Sequence, residues 1–161
     1  EVLGAGVTIA PNFGETATLG AISAVQAAVS VGVGVTLASV SLEDSDMDTR
    51  ANVPILAMNG ASSIVVREAA TMGVVEIDGG TMRHASSGDI TTLQIGAGGV
   101  ADFGGSRDPI TVTNCDVNEG GTLLDPCSRV TWTNDIGFPR TGLANVTIDL
   151  GTNIRINVAA Y

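Results

Sequence analysis

The chain has 161 residues, of which 44% are hydrophobic, only 15% charged and just five aromatic, with 21 glycines. The net charge is −10, and all seven basic side chains are Arg, with no Lys. No cationic surplus exists to replace phosphate counterions, so nucleic-acid binding is excluded as the main role. The abundance of aliphatic residues excludes an acidic disordered tail, and the glycine content excludes a coiled coil. What is left is one folded, β-rich, glycine-punctuated domain.

Glu1 rarely follows a removed initiator Met, so a cut or a chosen boundary is expected there. No basic segment precedes an apolar stretch, so a signal peptide is not expected. Residues 16–42 carry no charge. Their length matches a bilayer, but four Ser, three Thr, three Gly and Gln26 argue against a spanning helix, so no membrane partner is expected. Leu19, Ile22, Val25 and Val29 have helical spacing and predict a short helix. Val29, Val31, Val33, Val35 and Leu37 then alternate, which predicts a strand.

Beyond the acidic run Glu43-Asp44-Ser45-Asp46-Met47-Asp48 the chain repeats. Leu56-Ala57-Met58-Asn59-Gly60, Val75-Glu76-Ile77-Asp78-Gly79, Leu93-Gln94-Ile95-Gly96 and Cys115-Asp116-Val117-Asn118-Glu119-Gly120 share one unit: apolar, polar, apolar, then a glycine turn. Its starts fall at 56, 75, 93 and 115, and Ile110-Thr111-Val112 matches Val130-Thr131-Trp132 in the same way. A period of this length predicts coils of short parallel strands, stacked so that inward Val, Ile and Leu form ladders and glycine turns the corners. A narrow interior also accounts for the scarcity of aromatic rings.

The expected fold is all-β: a short parallel β-solenoid of four to five coils, with a β-sandwich or jelly roll as the alternative. Residues 1–52 are expected to form an N-terminal strand/helix region that anchors or caps, 53–144 the solenoid and 145–161 a C-terminal cap. In that cap Val146, Ile148 and Leu150 alternate before Gly151-Thr152-Asn153 and then Ile154, Ile156 and Val158, which predicts a hairpin. The open ends of a short stack must be covered, and a homotrimer is the expected solution.

Chemistry is sparse. Asp44, Asp46 and Asp48 are weak candidate metal ligands, because Thr49 and Ile55 stand where a calcium loop needs Gly and Glu. No metal or other cofactor is expected. His84, the single histidine, lies in Arg83-His84-Ala85-Ser86-Ser87-Gly88-Asp89 and is expected in an exposed polar loop with no catalytic role. Asp102, Asp108, Asp116 and Asp125 recur and could line one face, and two such groups are the minimum for glycoside hydrolysis. Without a nucleophile–base constellation or clustered surface rings, no enzyme is expected. Arg67, Arg83, Arg107 and Arg129 recur about once per coil and are expected near one edge, paired with Asp78, Asp89, Asp108 or Asp125. Gly96-Ala97-Gly98-Gly99 lacks the Lys of a phosphate loop, and Asn145-Val146-Thr147 matches the glycosylation pattern by chance. Cys115 and Cys127 are expected as free thiols, although their separation also permits a disulfide.

The segment TVTNCDVNEGGTLLDPCSRVTWTN (111–134), followed by NVTIDL (145–150), resembles virion structural proteins of tailed bacteriophages, in which short TVTN…TL.DP…VT.TN units recur. The resemblance covers roughly 75–150. It implies a β-solenoid without enzymatic activity on the virion surface: a capsid decoration or head-fibre subunit that binds itself and the major capsid protein or other virion proteins. A tail-fibre segment, or a secreted adhesin or carbohydrate-binding domain, is the alternative.

Overall fold

The computed structural model describes residues 2–4, 6–12, 15–137 and 146–151. The chain winds into a right-through stack of coils, each contributing one strand to each of two sheets. The first sheet holds β1 (Val2–Leu3), β3 (Ala17–Val25), β5 (Val35–Glu43), β7 (Val53–Asn59), β9 (Met72–Asp78), β11 (Ile90–Ile95), β13 (Ile110–Val117) and β15 (Val130–Trp132), in that order. The second holds β2 (Gly6–Ile9), β4 (Ala28–Val31), β6 (Asp46–Thr49), β8 (Ser63–Glu68), β10 (Gly80–Ser86), β12 (Gly99–Asp102), β14 (Thr122–Leu124) and β16 (Thr147–Asp149), also in order. Every pairing between these strands is parallel. This is a two-sheet parallel β-solenoid of about seven turns.

The repeat read from the sequence is the register of the sheet. Leu56 pairs with Val75, Val75 with Leu93 and Leu93 with Cys115, and Ile110 pairs with Val130. All six side chains are buried, and period two turns each neighbour outward. Stacking identical positions at about 4.8 Å lets each aliphatic group cover the one below, removing apolar area from water along the whole axis.

The stack is longer than the four to five coils expected, because the N-terminal region is built the same way. Val40 pairs with Leu56 and Leu42 with Met58 across the 52/53 boundary. Residues 17–49 are therefore coils of the solenoid rather than a separate unit. Residues 17–25 form a strand, not the expected short helix, and the described residues contain no helix. Local helical spacing yields here to pairing with β5 along eight register positions. The alternating run 29–37 is two strands, β4 and β5. Gly34, at a φ of +78°, turns the chain between them and leaves Val33 exposed, while Val29, Val31, Val35 and Leu37 stay inside.

One corner explains why the early coils lack the glycine mark of the later ones. Each of the seven passages from the first sheet to the second between β1 and β14 uses a residue with positive φ: Gly4, Gln26, Asp44, Gly60, Gly79, Gly98 and Gly120. Gln26 and Asp44 do there what glycine does later, at a cost of about 1–2 kcal/mol each. Ser45 and Ser62 line the inside of this corner. Ser62 Oγ donates to the Asn59 carbonyl (2.6 Å) and accepts the Ser45 N–H (3.2 Å), so the buried turn keeps its polar groups satisfied.

At the C-terminal end β16 pairs in parallel with β14, as the last strand of its sheet. The second arm of the expected hairpin, 154–158, lies outside the described residues, as does Asn145 of the glycosylation pattern. The described residues contain no helix long and apolar enough to cross a membrane.

Candidate functional site

Before β10 the buried polar groups are the hydroxyls of Ser45, Thr49 and Ser62; at β10 ionisable side chains enter the core. From Met82 the period-two pattern sends His84 and Ser86 inward, with Arg83 and Ala85 between them facing out or half-out. His84 is fully buried, contrary to the expectation of an exposed loop, because the polar string around it is a strand. In the stack it lies between Val66, its partner on β8, and the ring of Phe103, whose centroid is 5.6 Å away. Phe103 in turn meets Trp132 edge-on at 6.0 Å. The coil widens here: the connections at 103–109 and 125–129 are longer than the three-residue connections at 69–71 and 87–89, so rings enter an interior that was expected to exclude them.

Arg129 closes the cluster. Its side chain reaches back from just before β15, and the residue is 6% exposed. Nη2 donates to the His84 carbonyl (2.6 Å) and to His84 Nδ1 (3.0 Å), while Nη1 donates to the carbonyls of Asp108 (2.7 Å) and Ser86 (3.0 Å). Arginine has no acceptor, so Nδ1 offers its lone pair and the imidazole is neutral, with its proton on Nε2. Burial, and secondarily the Arg129 charge, push the imidazole pKa down to about 3. Burial also lowers the Arg129 pKa, opposed by Asp125, Asp108, Cys127 and Asp102. His84 Nε2, Arg129 Nε and Trp132 Nε1 have no hydrogen-bond partner among the described residues.

Asp125, fully buried, shapes the loop that launches Arg129. Its two carboxylate oxygens accept the N–H groups of Arg129 and Val130, both at 3.0 Å. A cleft of about 560 Å³ opens beside this loop, lined by Arg107, Pro109, Cys127, Ser128, Arg129 and Thr131.

These groups do not assemble acid–base chemistry. A neutral, buried imidazole with its acceptor nitrogen occupied cannot take a proton from a substrate near pH 7. Ser86 Oγ is held by the Ala70 carbonyl and the Gly88 N–H, both at 2.8 Å, and Ser87 is exposed. The recurring carboxylates do not share a face. Asp102 stands on β12 in the second sheet, Asp116 is exposed on β13 in the first, Asp108 is in an exposed loop and Asp125 is inside.

The weak metal candidates are each engaged by a partner of their own. Asp44 Oδ1 accepts the Ala61 N–H at 2.9 Å, Asp46 accepts from Ser63, and Asp48 pairs with Arg67 Nε at 2.7 Å. The described residues hold no group of three or more His, Cys, Asp or Glu able to bind a metal. The arginine row is partly real, but its pairings differ from those expected. Arg67 reaches Asp48, one coil below, Arg83 sits beside Asp102 in register, and Arg129 turns inward instead of forming an edge pair. Both cysteines are free: Cys115 is in the core and Cys127 is exposed. Gly96-Ala97-Gly98-Gly99 is the corner between β11 and β12.

The Arg129–His84 contact spans 45 residues, and no local spacing announces it. The available signal was the alternation of Met82, His84 and Ser86. No protein-family model matches this chain, and neither a curated protein nor a solved structure matches it.

Proposed function

We propose that this chain is a non-enzymatic structural protein of a tailed-phage virion, a capsid decoration or head-fibre subunit that works by surface contact. One observation carries the docking part of this reading: in a chain of net charge −10, residues 16–42 have no charged side chain, and they form solenoid coils whose outward positions are exposed. Thr18, Ala21, Ser23, Thr36 and Ser41 are exposed there, and Ile55 and Val74, paired in register in the neighbouring coils, are exposed as well. Such a face approaches another protein without desolvating charge, whereas the rest of the acidic surface repels like-charged neighbours. The virion placement is supported by the resemblance of 111–134 and 145–150 alone. Self-association, with the homotrimer as its expected form, belongs to the same proposal.

The test is cosedimentation with particles of the virus that encodes the chain, comparing it with the Ser23→Arg/Ser41→Arg double variant. These two positions are exposed neighbours on β3 and β5. A folded variant, verified by circular dichroism, is expected to lose binding by at least about tenfold, as buried unpaired charges do. Unchanged binding overturns the docking face. Light scattering at three times 16.2 kDa supports the trimer, and a mass of 16.2 kDa refutes it.

A further inference from the structure

The strongest unexplained feature is the use of a guanidinium as an internal fastener. Arg129 bridges three segments: the end of β10, the 103–109 connection through Asp108, and its own loop before β15. The strands on either side of it are short. β14, β15 and β16 have three residues each, and among the described residues β15 pairs only with β13, whereas β3 and β5 have nine residues each. The last coils therefore have few ladder hydrogen bonds of their own, and their attachment leans on Arg129.

That attachment requires an unprotonated His84 Nδ1. A proton there removes the acceptor for Nη2 and sets two cations 3.0 Å apart, both out of water. The guanidinium does not relieve the conflict by losing its own proton. The groups around it do not offset the charge of an imidazolium. Asp125, Asp108, Asp102 and Cys127 act on Arg129, and among the described residues the one charged group acting on His84 is Arg129 itself. On the neighbouring β8, Arg67 and Glu68 are exposed and face away from the core.

We infer that Arg129 and His84 form an acid-sensitive latch: proton uptake by His84 ejects the Arg129 side chain and frees the C-terminal coils, while the coils up to β10 stay paired. The direction follows from linkage. The unfolded or opened segment takes up the proton near the ordinary value of 6.5, and the closed one only near 3. The latch is at full strength above about pH 6.5 and weakens progressively as the pH falls towards 3.

The chain carries one histidine and one tryptophan, so each end of the latch has its own signal. The test follows the His84 ring resonance and Trp132 fluorescence of the full chain as the pH is lowered, with segment-resolved amide hydrogen exchange. The latch predicts no His84 titration near 6.5, a single step below about pH 5 in both signals, and at least about tenfold loss of protection in 122–132 before any loss in 17–86. His84→Gln keeps an acceptor for Nη2 but cannot titrate, and is expected to move the Trp132 step down by about one pH unit or more. A His84 that titrates near 6.5 with Trp132 unmoved overturns the latch. So does simultaneous loss of protection from all coils. The wild-type readouts decide the matter even if the variant does not fold.

Discussion

Gly80 and Gly98 separate two reasons for a glycine at a coil corner. Their φ values are nearly equal, +78° and +75°, so an Ala at either meets the same backbone strain. That strain is about 1–2 kcal/mol, partly offset by about 0.4–1 kcal/mol from the stiffer unfolded chain, leaving a net cost near 1 kcal/mol. The surroundings differ. A Cβ on Gly98 meets nothing within 4 Å, whereas one on Gly80 would lie 2.1 Å from the Ser62 carbonyl oxygen. That oxygen already accepts the Thr81 N–H at 2.9 Å. Making room moves two coils apart by roughly 1 Å, loses that hydrogen bond (about 1 kcal/mol) and disturbs the packed ladder around Ile64 and Met82 (about 1–3 kcal/mol). Gly80→Ala is therefore expected to cost about 3–5 kcal/mol and Gly98→Ala about 1 kcal/mol. At roughly 2–4 °C per kcal/mol, the melting temperatures of the two variants should differ by roughly 4–16 °C in a thermal scan followed by far-UV circular dichroism. Melting temperatures within a degree or two of each other would refute the claim that the coils are stacked at this corner.

Three further outcomes follow from the cluster and the surface. Asp125→Ala leaves the N–H groups of Arg129 and Val130 without their carboxylate and should cost about 2–4 kcal/mol in urea denaturation, whereas a cost below 1 kcal/mol contradicts its role. Burial, with Asp116 adding to it, pushes the Cys115 thiol up to about 12, so at pH 8 a thiol reagent should modify Cys127 quickly and Cys115 only after unfolding. Equal rates for both would place Cys115 outside the core. Arg67→Ala breaks the exposed pair with Asp48 and should change stability by less than about 1 kcal/mol, with the difference shrinking in high salt.

What the sequence revealed and what it hid have physical causes. Leu56, Val75, Leu93 and Cys115 declared the stacking because period two and a glycine corner coincide at each. The coils at 17–49 use the same geometry, but Gln26 and Asp44 hold the left-handed corner position, so the marker is missing while the structure is not. His84 was hidden for a different reason. Arg83, Ser87 and Asp89 beside it are polar because they face solvent, and its partner is a long side chain from 45 residues away, chosen by the stacking of coils rather than by spacing along the chain. The proposed docking face was legible as a charge-free run, and its location on the outside of coils depended on the fold.

The central claim is that one continuous solenoid runs from the charge-free coils into the repeat, and the join between β5 and β7 tests it most directly. Ser41 and Ala57 are register partners on the outer surface, so their Cα atoms lie about 4.8 Å apart, within reach of a disulfide. In a Cys127→Ser background, Ser41→Cys/Ala57→Cys should oxidise rapidly within a single chain. Ser41→Cys/Gln94→Cys, separated by two further coils, should remain reduced within the chain. Failure of the first pair to close, or equal closure of both, would contradict the continuous stack.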